Sequence, residues 1–283
     1  MPHYHALYLS PHLDDAVLSC GGQIAQQTAA GLPVLIVTLM AGDPPARPLS
    51  AFAQKLHDRW QLDAATAVAA RRAEDTAACD LLRADLQHWD IPDCIYRADP
   101  ATGTALYNDG GAIFGSVHSA DKQLAVELAT RLAQLPTAEA IYIPLTVGHH
   151  VDHQLTRLAA ELWPTNTPIF YYEDYPYAGR AGAVTAALGD PDQWQAQVIP
   201  LTAEALARKC TAIAAYQSQV STFFSDTADL EAKVGGYATQ VGGERLWQLA
   251  GRILLPISFL SRDKVRFYCK GAKMPRRKGF MVN

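Results

Sequence analysis

The chain has 283 residues, 49% of them hydrophobic and 18% charged, with 24 basic against 28 acidic side chains and a formal charge of −4. That composition suits a soluble protein with a sizeable core and gives no global case for nucleic-acid binding. The longest apolar stretches, such as Leu32 to Met40, are too short to span a bilayer, and no basic segment followed by an apolar run marks a secretory signal.

Tyr4 to Ser10 reads as a first strand, and Asp15 to Ala30 as a helix ended by Gly31-Leu32-Pro33. Val34 to Met40 is a second, buried strand, and the Pro-rich Asp43 to Ser50 is a loop. One long helix is expected from about Asp58 to Ala84, rich in Ala, Leu and Arg, followed by a short strand at Leu86 to Trp89. Asp99 to Gly115 holds Gly, Pro, Asn and Asp and reads as a long surface loop. Ala120 to Leu135 is helical, Ala140 to Leu145 a strand, Val151 to Trp163 a helix, and Pro168 to Glu173 a strand. A strand near Gln197 to Leu201 then leads into one helix from Thr202 to about Gln219.

This alternation predicts an α/β fold with a mostly parallel, doubly wound sheet. A single domain is expected, with its core over 1–175 and a C-terminal elaboration over 176–283. The tail after Ser261 carries Arg262, Lys264, Arg266, Lys270, Lys273, Arg276, Arg277 and Lys278 against Asp263. It reads as a solvated surface, with docking of an anionic partner as the alternative. Cys20, Cys79, Cys94, Cys210 and Cys269 form no CxxC pair and are odd in number. That argues against a disulfide framework and for reduced, buried thiols in a cytoplasm.

Two polar clusters each follow a strand-like run: Pro11-His12-Leu13-Asp14-Asp15 and His149-His150-Val151-Asp152-His153. In an open α/β sheet, loops leaving strand C-termini converge on one crevice, so the clusters are expected to meet. His12 and Asp15 are three apart at a helix start and can face one point. With His153 they make a two-histidine, one-carboxylate set that suits zinc and would also suit Fe(II). Asp14 then lies beside the metal without binding it and can accept a proton from a polarised water. His150 can stay unligated, stabilising an oxyanion as imidazolium or protonating a leaving group, with Asp152 orienting or charge-tuning it. The plainer alternative makes Asp14 and Asp15 first-turn acids favoured by the helix dipole.

The segments Ser10-Pro11-His12-Leu13-Asp14-Asp15-Ala16, Cys20-Gly21-Gly22 and Gly148-His149-His150-Val151-Asp152-His153 resemble the PIG-L/LmbE-like N-acetylglucosaminyl deacetylases. Arg71-Arg72-Ala73-Glu74-Asp75, Tyr172 to Tyr177, and Lys209 with Tyr216-Gln217-Ser218-Gln219 are similar to further family features. The resemblance implies a Rossmann-like fold and a zinc site of His12, Asp15 and His153. It implies Asp14 as general base, His150 as charge-stabilising residue and Asp152 as its support. Arg71 would contact the sugar or a phosphate substituent; the alternative is an i,i+3 pair with Glu74. The reaction implied is hydrolytic removal of acetate from an N-acetylated amino sugar. Hydrolysis of another amide or an ester, and a non-catalytic binding role for the basic tail, are the competing functions. The sequence departs from some relatives in an extra histidine, His149, and in Gly148, where those relatives place a tyrosine.

Overall fold

In this computed structural model, which describes residues 2–60 and 66–250, strand and helix alternate from the start. β1 (His3–Ser10) leads into α1 (Asp15–Ala29), β2 (Val34–Thr38), α2 (Ala51–Trp60), α3 (Ala67–Leu82) and β3 (Asp85–His88). The short α4 (Gly110–Ile113) and then α5 (Lys122–Leu132) precede β4 (Thr137–Pro144), α6 (Val151–Leu162) and β5 (Ile169–Tyr172). Beyond them come α7 (Ala183–Leu188), β6 (Trp194–Ile199), α8 (Ala203–Ala214), α9 (Gln217–Phe223), α10 (Thr227–Val241) and β7 (Glu244–Leu249).

The strands form one sheet in the order β3-β2-β1-β4-β5-β7-β6. Every pairing from β3 to β5 is parallel, and β7 runs antiparallel to both β5 and β6. The fold is α/β with a Rossmann-like, mostly parallel, doubly wound sheet, as the alternation predicts. The chain winds outward from β1 to β3, then restarts at β4 on the other side of β1. The C-terminal ends of β1 and β4 therefore flank the switch point where such sheets open a crevice. Residues 194–249 extend this same sheet by two strands.

Both faces of the central strands are covered, so their sequences are apolar at consecutive positions rather than alternating. On one face Leu7, Val37 and Ile143 pack with Leu128 of α5 and Leu155 of α6. On the other, Tyr8, Tyr142 and Phe170 stand in register on β1, β4 and β5, their rings stacked at centroid separations of 4.4 and 5.4 Å. The Tyr8 hydroxyl donates to Gln27 and accepts from Gln23, both on α1, at 2.8 Å each. These bonds satisfy a phenol that burial would otherwise leave unpaired.

Three elements differ from the sequence reading. The long helix expected from Asp58 to Ala84 is two helices, α2 and α3, the first beginning at Ala51; residues 61–65 fall outside the described residues. The helix expected from Thr202 to Gln219 breaks at Tyr216, whose backbone leaves the helical region at ψ 61°. There the Tyr216 hydroxyl donates to buried Asp75 at 2.6 Å, and Glu74 accepts from the Ser218 N–H (2.8 Å) and hydroxyl (2.6 Å). A carboxylate at the first turn of α9 satisfies its open amides and complements its dipole. The long loop expected over Asp99 to Gly115 contains α4, whose first turn Asp109 caps at 2.8 Å. No helix among the described residues is long and apolar enough to cross a membrane. Cys269 and the basic tail lie outside the described residues.

Candidate metal centre and active site

The two polar clusters meet at the switch point. Ser10, the last residue of β1, fixes the first: its hydroxyl donates to the His12 carbonyl at 2.6 Å and accepts from the Ala16 N–H at 3.0 Å. That brace turns the chain from strand into α1 and brings Asp15 back over His12. Asp15 Oδ2 accepts from the His12 backbone N–H at 2.8 Å and lies 3.2 Å from His12 Nδ1. The same oxygen lies 3.3 Å from His153 Nε2, delivered by the first turn of α6. Tetrahedral zinc, with bonds of about 2.0 to 2.1 Å, sets adjacent ligand atoms about 3.3 to 3.4 Å apart. The donor set therefore fits a small divalent cation in both chemistry and spacing. His12, His150 and His153 also offer ring nitrogens within 4.8 Å of one another.

The outward nitrogens of His12 and His153 are each tied to a buried carboxylate. His153 Nδ1 donates to Asp174 Oδ1 at 2.6 Å, and Asp174 Oδ2 accepts from the Val147 N–H at 2.8 Å. His12 Nε2 donates to Asp152 Oδ2 at 2.9 Å. Such bonds fix ring orientation and turn the other nitrogen inward as a lone-pair donor. Asp152 is itself held by the Arg97 guanidinium (2.5 Å) and the Cys94 N–H (3.0 Å), and Arg97 also donates to Asp121 at 2.8 Å. The Asp152 carboxylate thus orients His12, whereas the sequence reading paired it with His150.

His150 caps α6, its Nδ1 accepting from the Asp152 N–H at 3.3 Å. That contact leaves the ring proton on Nε2. Burial, then the neighbouring His12, pushes the imidazole down to about 3, so His150 is neutral here and offers an N–H rather than a full positive charge. Burial alone would also lower His153, but Asp15 and Asp174 together raise it to about 10. Asp14 is buried, and its side chain makes no hydrogen bond among the described residues. Burial, then the adjacent Asp15, raises its carboxyl to about 7, against the pull of Arg71 and His12.

These groups open onto a cleft of about 200 Å³. Its polar end carries His12, Asp14, Asp15, Asp93 and His150; Leu56, Trp60, Ile95, Phe114 and Tyr177 make an apolar wall. Arg71 lines the cleft while only 8% exposed, stacked 5.1 Å over the Trp60 ring, its Nε without a hydrogen-bond partner. The i,i+3 pair with Glu74 is not formed, because Glu74 is engaged by Ser218.

The loop between β4 and α6 resolves the ambiguity of the doubled histidine. Thr146 and His149 adopt positive φ (69° and 65°), strained values for residues with a Cβ, and they turn His149 out and His150 in. His149 accepts from Gln154 Nε2 at 3.2 Å on the exposed side. At Gly148 a Cβ would lie 2.8 Å from the Tyr177 ring, so Tyr177 fills the space a side chain there would need.

Sequence reasoning left Asp93, Arg97, Asp121 and Asp174 unassigned. All but Asp174 come from residues 93–121, where no strand–loop signature marks them. Asp174 lies two residues past the end of β5, and its position at a third strand end was the available signal.

The model of the GlcNAc-PI de-N-acetylase (PIG-L) family matches residues 7–163, which hold both clusters. The chain is similar to 2'-N-acetylparomamine deacetylase of Niallia circulans, 23% identical over 255 residues that cover 85% of this chain and 89% of that one. Among solved structures it resembles the zinc-inhibited form of teicoplanin deacetylase Orf2, at 32% identity and a TM-score of 0.73, over 87% of this chain and 97% of that one. It also resembles the A40926 pseudoaglycone deacetylase Dbv21, at 28% identity and a TM-score of 0.69, over 89% and 99%. With more than half its length inside the family match and its fold shared with these deacetylases, the chain belongs to the GlcNAc-PI de-N-acetylase (PIG-L) family.

Proposed function

We propose that this protein is a zinc-dependent hydrolase that removes the N-acetyl group from a glucosamine-type sugar carried on a larger conjugate. The observation that carries this reading is the spacing of His12 Nδ1 and His153 Nε2 around Asp15 Oδ2, at 3.2 and 3.3 Å, with both outer nitrogens tied to carboxylates. His12, Asp15 and His153 would hold the cation, with zinc preferred and Fe(II) the alternative. A dication held there supplies Lewis-acid polarisation of water and of a carbonyl oxygen.

The remaining steps belong to the chain's own groups. Asp14, buried beside Asp15, takes the proton of the attacking water as it adds to the amide carbon. His150 Nε2–H donates to the oxygen that gains charge in the tetrahedral intermediate; a neutral donor suffices for that. The proton held by Asp14 then passes to the leaving nitrogen, which departs as the free amine and leaves acetate. Arg71, rigid against Trp60, binds a polar substituent of the sugar, and the apolar wall takes the aglycone. The relatives named for paromamine and teicoplanin support an antibiotic-type glycoconjugate as that substrate. The four cysteines among the described residues are buried and free, which fits a reducing cytoplasm.

The test is acetate release from N-acetylglucosamine conjugates by chelator-stripped protein restored with zinc or Fe(II). Release that returns with metal and fails in Asp14→Asn supports the reading. Stoichiometric metal without release from any conjugate would move the scissile bond to another amide or an ester.

A further inference from the structure

Cys94 is fully buried, and its sulfur lies 3.9 Å from His150 Nε2. It opens a short 3-10 turn, Cys94–Tyr96, held on one side by the Asp93 carboxylate accepting from the Ile95 N–H at 3.2 Å. On the other side the Cys94 N–H donates to Asp152 at 3.0 Å. Cys94, His150 and Asp152 each present one ligand atom within 4.8 Å of the other two. We propose that these three residues form a second cation site, inhibitory and selective for zinc-like ions, beside the His12–Asp15–His153 centre.

The donor chemistry selects the ion. A thiolate, an imidazole and a carboxylate form a set that zinc accepts and that magnesium or calcium, which want oxygen, do not. Tetrahedral zinc with bonds of about 2.3 Å to sulfur and about 2.0 Å to nitrogen sets these atoms about 3.5 Å apart, against the observed gap of 3.9 Å. Charge favours a second ion as well. Asp15, Asp93, Asp121, Asp152 and Asp174 face Arg71 and Arg97, a negative surplus that one dication reduces and does not cancel. His150 and Asp93 line the cleft and give the ion its approach.

Binding releases protons and rearranges one ring. The Cys94 S–H gives its proton to solvent as the sulfur–metal bond forms. The His150 proton moves from Nε2 to Nδ1, which gives up the long 3.3 Å capping contact with the Asp152 N–H. These costs make the second site weaker than the first. Occupancy removes the His150 Nε2–H, so zinc beyond one equivalent stops turnover. The inhibition rests on the proposed role of His150, whereas the binding does not.

The full-length protein, stripped with chelator, is titrated with Co²⁺ as spectroscopic probe and separately with Zn²⁺, with metal content read by elemental analysis. Wild type is expected to take two equivalents, the weaker one bringing a near-ultraviolet thiolate-to-cobalt charge-transfer band. Cys94→Ala and the isosteric Cys94→Ser are expected to take one equivalent without the band. They should keep metal-restored turnover and lose inhibition by excess zinc. His153→Ala is expected to lose the tighter equivalent and keep the band, which separates this site from the first centre. One equivalent in wild type at large metal excess, or a band that persists in both Cys94 variants, overturns the site. Two equivalents in wild type with undiminished turnover overturn its inhibitory role.

Discussion

Lys209 Nζ lies 2.7 Å from Glu244 Oε1, and both side chains are about 95% buried. The pair is a junction of three elements. Glu244 on β7 accepts from the Gly22 and Gln23 N–H groups of α1 at 2.9 and 2.7 Å, while Lys209 on α8 reaches the Ser19 carbonyl at 3.3 Å. The approach is close enough that a Cβ on Gly22 would lie 2.5 Å from Leu201. Gly21-Gly22 is therefore a packing device, and it anchors the helix whose first turn carries Asp14 and Asp15.

Glu244→Ala leaves a buried ammonium and two amide groups without their acceptor. Breaking a buried pair from one side costs about 3 to 5 kcal/mol. At roughly 2 to 4 °C per kcal/mol for a chain of this size, the melting temperature is expected to fall by about 10 °C. Pairing Glu244→Gln with Lys209→Met removes both charges and should recover part of the loss. Thermal unfolding of the three proteins by circular dichroism checks this, and an unchanged midpoint for Glu244→Ala would remove the junction from the account.

The parallel half of the fold was readable because β2 and β5 and the C-terminal parts of β1 and β4 are buried runs of largely apolar residues with helical periods between them. The two clusters were readable because strand-end loops of such sheets converge. The C-terminal strand was not, because β7 buries Glu244 and Gln248 on the face where a strand pattern calls for apolar residues. Helix α10 carries Gly235-Gly236, which lowers its intrinsic propensity. The supporting shell of the site was hidden for a related reason. Arg97 and Asp121 act through a hydrogen bond and a guanidinium fork that carry no spacing signature along the chain.

Gly148 adopts φ 90° against the Tyr177 ring. Gly148→Ala meets both a left-handed backbone and a 2.8 Å contact, at a cost of about 1 to 3 kcal/mol. The shift should reach the site, because the same loop delivers His150 and His153. Lowered thermal stability together with a raised metal dissociation constant is the expected pair of results; normal values for both would show the loop relaxing freely.

Asp174→Asn keeps the shape of the side chain that orients His153 but removes its charge. Changes to such supporting carboxylates typically weaken metal affinity by about 10- to 100-fold. Competition with a chromogenic chelator measures this directly. An affinity within about twofold of wild type would mean that the 2.6 Å bond to His153 Nδ1 does not set the ring's binding position.

Asp152→Asn separates two roles for one carboxylate. Its Oδ1 accepts from Arg97 and its Oδ2 from His12 and the Cys94 N–H, so every orientation of an asparagine amide turns an NH₂ against a donor. If its main duty is to orient His12, metal affinity falls by about 10- to 100-fold and added zinc restores much of the turnover. If its main duty is to tune the nearby His150, metal affinity stays near wild type and the loss appears in kcat alone. The bond of 2.9 Å from His12 Nε2, against contact with His150 only through the Asp152 backbone N–H at 3.3 Å, sets the expectation at the first outcome.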